Sequence, residues 1–139
     1  MAIQWKAVFL GAASGIALTQ LTTTVFPQLL MMAMDGLHPI TIGNTKLAFG
    51  FLSAGIGGGI AGGIAKSDPI TQGLFSGVVQ ALMYFATSAA LVGLFLAFHP
   101  MGYAIAILTV VSGAAGGFLS KHMLSARGSD SSHDKRSNS

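Results

Sequence analysis

Cysteine is absent from the 139 residues, which excludes a disulfide framework, a thiolate nucleophile and a cysteine metal site. Charge is nearly as scarce, at 8% of positions against 52% hydrophobic. A soluble domain carries about 25% charged residues, so there are too few here to cover a water-facing surface. Mean hydropathy is +0.69. The chain offers no nucleophile with an adjacent base, no phosphate-cradling loop and no paired carboxylates, so neither an enzyme nor a bound cofactor is expected. The net charge of +3 does not point to nucleic acid. The charges stand at the ends of apolar runs and in the tail, where membrane topology accounts for them.

What the chain has in quantity is glycine, 19 residues of it. The densest stretch is Gly50–Lys66, GFLSAGIGGGIAGGIAK. In water each glycine costs about 1 kcal/mol relative to alanine in a helix. In a bilayer the backbone must satisfy its own hydrogen bonds, and helix does so. Gly55, Gly59 and Gly63, with Gly58 and Gly62 beside them, form a groove that lets another helix approach closely. This stretch reads as the packing spine of a small multi-span membrane protein.

Four apolar runs fit spans of about 20 residues each. The first, 7–34, follows an interfacial Trp5–Lys6 pair and continues too far for a signal peptide. Pro27 should kink it. Asp35–Lys46 reads as a loop, with Gly36, Pro39, Gly43 and Asn44 as turn residues. The second span is 47–65. Asp68 suits an N-cap and Pro69 a first helical position, opening the third span, 70–98. His99–Pro100 turns the chain into the fourth, 101–120, and residues 122–139 read as a disordered polar tail. The fold class is thus all-α integral membrane, two tandem helical hairpins. Lys6, Lys66, Lys121, Arg127, Lys135 and Arg136 fall on one side and Lys46 alone on the other, which places both termini in the cytoplasm. The expected location is the inner (plasma) membrane, as a multi-pass protein.

Short motifs recur. Gly11-x-x-Ser14-Gly15 matches Gly73-x-x-Ser76-Gly77, and Gly59-Ile60-Ala61-Gly62-Gly63 matches Gly113-Ala114-Ala115-Gly116-Gly117. Each half is then a long span, an outer turn and a short glycine-rich span, and the two halves would be parallel repeats. Gly11, Gly15, Gly73, Gly77, Gly113 and Gly117 join the spine glycines as helix-packing candidates, either within one chain or between copies.

Ion coupling needs an ionisable residue within a span, and none is evident. Uncharged polar residues do lie inside, and their ordinary role is hydrogen bonding between helices. The functional reading is a polar path: Gln20, Thr24 and Gln28 share a helix face by four-residue spacing, and Gln80 sits at a similar depth in the other half. His38 and His99 share the outer side with Asp35 nearby, but lack the tight local spacing of a zinc motif, so no metal site is expected.

Ile3-Gln4-Trp5-Lys6-Ala7-Val8 before a glycine-rich span, and Gly62-Gly63-Ile64-Ala65 followed by a charged turn and Gly73-x-x-x-Gly77, resemble uncharacterised small prokaryotic membrane proteins. These are domain-of-unknown-function families with four helices and glycine-zipper spans. The resemblance covers residues 3–122 and implies a helical membrane protein, with no active residues to carry over. The function that follows is a non-catalytic structural or accessory component. Its expected partners are the lipid bilayer, further copies of the chain as a homo-oligomer, and another membrane protein. The rival is a small oligomeric channel or facilitator, a holin-like pore included.

Overall fold

The computed structural model describes residues 3–25, 28, 39–65, 68–92 and 100–134. Among them there are four α-helices and no strands. Helix α1 spans Trp5–Gln20 and runs directly into a π-helical turn, Leu21–Val25. Threonine hydroxyls crowd the backbone there. Thr19 Oγ1 donates to the Gly15 carbonyl at 2.8 Å, and Thr22 Oγ1 to the Leu18 and Thr19 carbonyls at 2.8 and 3.2 Å. Such back-bonding loosens the regular ladder. In a regular helix the ring of Pro27 would press on the carbonyl of residue 23, and widening to π geometry is one way to make room. The departure from α geometry thus begins at Leu21, ahead of the kink expected at Pro27, which lies outside the described residues.

Helix α2 spans Pro39–Ile64. It starts eight residues before the expected Leu47, so Gly43 and Asn44 are helical and not turn residues. Proline at the first helical position is well placed, because its missing N–H has no partner there anyway. Asp35 and His38 lie outside the described residues.

Helix α3 spans Pro69–Val92 and opens as its sequence implies. Asp68 Oδ2 accepts from Thr71 Oγ1 at 2.7 Å, and the Asp68 carbonyl accepts from the Gln72 N–H at 3.2 Å. Asp68 stands at φ +44°, a left-handed conformation that costs other side chains about 1–2 kcal/mol and that aspartate tolerates better than most. Residues 93–99, the end expected for the third span and His99, lie outside the described residues. Helix α4 spans Pro100–Asp134 and continues past Ser120 into the segment read from sequence as a polar tail. Lys121, Met123, Leu124, Ala126 and Arg127 are all good helix formers, so nothing before Gly128 stops propagation.

Helix α2 touches the other three: it packs extensively on α1 and α4 and also on α3, while α4 packs extensively on α3. The glycine contacts give the directions. Gly55, Gly59 and Gly63 lie beside Ser112, Gly116 and Ser120 in that order, so α2 and α4 run parallel. Gly73 and Gly77 lie beside Gly117 and Gly113, so α3 and α4 run antiparallel.

The burial pattern inverts that of a water-soluble domain. Buried hydrophobic residues among those described are Ala7, Val8, Ala12, Ala54, Ala61, Ala65 and Ala81, and the bulkiest fully buried side chains are Gln72, Val8, Ser53 and Ser76. Leucines, isoleucines and methionines point outward, as at Leu52 (62% exposed), Ile107 (63%) and Met123 (74%). Two described helical windows, Leu47–Ile64 and Gly102–Ser125, are long and apolar enough to cross a membrane, and only 33% and 22% of each is buried.

Candidate functional site

Glycine makes the helix contacts possible because the backbones nearly touch. A methyl group added at Gly58 would fall 2.7 Å from both Cα and the carbonyl carbon of Gly113. At Gly73 it would fall 2.9 Å from Gly117 Cα, and at Gly77 2.9 Å from Val110 Cα. A methyl at Gly11 would overlap the Gly57 carbonyl oxygen and stand 2.6 Å from Ala61 Cβ, and one at Gly62 would stand 3.1 Å from Gly117 Cα. These obstacles are backbone or stubs of side chain, and cannot swing aside. Two of the tightest positions, Gly57 against the Gly11 carbonyl and Gly116 against Gly55 and the Gly59 nitrogen, escaped the sequence reading. A four-residue ladder selects one helix face, and these glycines lie on others.

Gly55, Gly59 and Gly63 behave differently. The nearest atoms to an added methyl there are 3.5, 3.4 and 3.3 Å away, close to ordinary van der Waals contact. Together with Gly116, Leu119 and Ser120 they line an open groove of about 780 Å³ along the α2–α4 seam. The spine glycines therefore divide by task. Gly57 faces α1, Gly58 and Gly62 face α4 and the start of α3, and 55, 59 and 63 floor the groove.

The polar candidates separate. Gln20, Thr24 and Gln28 are exposed on the outer surface, whereas Gln80 is buried in the bundle at 5% exposure. They do not form one path within a chain. Gln80 instead belongs to a seam on α3 with Gln72 and Ser76, all facing inward. Gln72 Oε1 accepts the Gln4 backbone N–H at 3.1 Å, and Gln80 Nε2 donates to Ser76 Oγ at 3.4 Å. No buried side-chain nitrogen or oxygen among the described residues lacks a partner. Several hydroxyls serve their own helix. Ser14, Thr19, Ser53, Thr87 and Thr109 each donate to the carbonyl four residues back at 2.7–2.8 Å, so these five side chains are satisfied locally.

No protein-family model, curated protein or solved structure matches this chain.

The motif matches between the two halves also occupy unequal surroundings. Gly11 meets Gly57 and Ala61, while its counterpart Gly73 meets Gly113 and Gly117. The sequence match would pair Gly57 with Val111, two residues and roughly half a helical turn away from Gly113. Ser14 is part exposed and Ser76 fully buried. Among the described residues no group of three or more metal-ligating side chains comes together.

Proposed function

We propose that this chain is a four-span inner-membrane protein with both ends in the cytoplasm. In this reading it is a non-catalytic structural or accessory component that self-associates along the α2–α4 groove. The inverted burial supports the membrane setting. In water the hydrophobic effect would drive leucine and isoleucine inward; in lipid, where tails are as apolar as leucine, small residues at close contacts hold helices together. Tyr103 and Lys121, near the two ends of the apolar part of α4, are 18 residues or about 27 Å apart, close to the hydrocarbon thickness of about 30 Å.

The observation that carries self-association is the surplus of glycine at 55, 59 and 63. The single chain has nearly enough room for a side chain at each, yet all three are glycine and all three floor an open groove. A helix of a second copy laid in that groove would use them. Gly59→Leu fills the groove floor, so the expected outcome is an intact monomer with reduced oligomer size in detergent sedimentation and in bilayer cross-linking. Unchanged oligomer size in a folded Gly59→Leu variant would sink the reading.

One feature favours the pore as a second reading. Gln20, Thr24 and Gln28 are all on the outside of the chain, where lipid solvates amides poorly, and copies meeting there would line a polar passage between them. Sealed proteoliposomes loaded with ions or a small neutral solute decide it: selective flux lost in Gln20→Leu supports a pore, and tight vesicles leave the accessory role.

A further inference from the structure

The contact between the α1–α2 hairpin and α3 carries two buried amides, whereas the α2–α4 and α3–α4 contacts are built largely on glycine. Gln72, Ser76 and Gln80 repeat every four residues on α3, at 1%, 0% and 5% exposure. Gln72 reaches across to the very start of α1, where Oε1 takes the Gln4 N–H at 3.1 Å. Gln4 supplies no side-chain cap to its own helix, so Gln72 serves that end from a neighbour. Eight residues on, or about 12 Å along the axis, the Gln80 amide fills a notch between two helices. The three atoms nearest an added methyl at Gly15 are Gln80 Oε1, Cδ and Nε2, at 2.5, 2.7 and 2.8 Å, and Gln80 Nε2 stands 2.9 Å from the same position on Gly57.

We propose that Gln72 and Gln80 form a two-point docking key that fixes the register of the first hairpin against α3. Small-residue surfaces are smooth, and Gly11 and Gly15 are one turn apart, so a slide of about 5.4 Å along the axis would present nearly the same surface. The two amides break that degeneracy. After such a slide the Gln4 N–H and Gln72 Oε1 lose each other, and Gln80 is driven out of its notch into a helix backbone. Both leave polar groups buried without partners, which is costly in a low-dielectric interior. A lone buried amide sets register in coiled coils by the same logic. The key is internal to one chain and independent of self-association.

The test uses the full-length protein in detergent, with thermal midpoint and Trp5 emission as readouts. Trp5 is the one tryptophan; it stands on α1 with its ring 6.1 Å from that of Phe75 on α3, so its emission reports this docking. Gly15→Ala should lower the midpoint, and adding Gln80→Ser should recover more than half of that loss. The control is Gly11→Ala, whose methyl meets Ala61 and the α2 backbone; Gln80→Ser should recover none of its loss. Gln72→Leu should keep the helix content, shift Trp5 emission, and speed hydrogen exchange at the Gln4 amide about tenfold, the weight of one amide bond. A Gly15→Ala protein as stable as the parent would overturn the proposal, since Gln80 would then merely swing aside. Equal recovery in both double variants, or none in either, would overturn it too, as would unchanged Gln4 exchange in Gln72→Leu. If Gly15→Ala does not fold, a folded Gly15→Ala/Gln80→Ser protein supports the key and an unfolded one overturns it.

Discussion

At the residue scale, glycines that look alike in the sequence carry very different constraints. Gly58 faces the Gly113 backbone at distances no methyl can occupy, whereas Gly50 has nothing within 4 Å of an added Cβ. Gly58→Ala must therefore push α2 from α4 along their length. Gly50→Ala meets no obstacle and gains helix propensity of up to about 1 kcal/mol. In detergent unfolding, Gly58→Ala should fall well below the parent protein and Gly50→Ala should match or exceed it. Equal behaviour of the two would mean that the α2–α4 contact is looser than described. Little of this division is visible beforehand. The triplet Gly57-Gly58-Gly59 reads as one flexible patch, yet successive helix residues point about 100° apart, and the three look toward α1, toward α4 and into the groove.

At the element scale, the ends of helices were legible where a residue has one natural place and obscure where it has two. Asp68–Pro69 is an N-cap followed by a first-turn proline, and α3 starts there. Pro39 admits the same reading, but Gly36, Gly43 and Asn44 around it favour a loop in water. Helix α2 keeps the last two within its first turns because backbone pairing outweighs their weak propensity. The π turn is a third case. Threonines at 22, 23 and 24 and a proline at 27 are plain in the sequence, but whether the strain is taken up as a kink or as a wider turn depends on how far it spreads. Pro27→Ala removes the ring that would press on the carbonyl of residue 23 in a regular helix. The turn over Leu21–Val25 should then revert to α geometry, visible as restored regular spacing in carbonyl-labelled infrared or NMR spectra. A π turn that persists would assign it to the threonine hydroxyls alone.

At the scale of the whole molecule, orientation and composition come from few charges. Lys6, Lys121 and the turn around Asp68 lie at one end of the bundle because α1 and α3 begin there while α2 and α4 run toward it. Under the proposed topology, a cysteine placed at Ser67, in a chain that has none of its own, should resist an impermeant thiol reagent added outside intact cells. Rapid labelling would invert that proposal. The all-helical architecture was readable from the scarcity of charge and the apolar runs. The polar seam was readable only in part, since Gln72 and Gln80 stand out in an apolar run while nothing in the spacing says that Gln20 faces out and Gln80 faces in.

A core of backbone and alanine reverses the usual tolerance to change. In a water-soluble domain the large apolar residues are held and the small outer ones drift. Here Leu52 and Ile107 are mostly exposed and could exchange with other apolar side chains. At Gly58, Gly73 or Gly116 almost every substitution adds volume where none is free. Over long divergence such a chain would keep its gaps and lose its bulk, so that kinship would survive as a rhythm of small residues rather than as a recognisable string of letters.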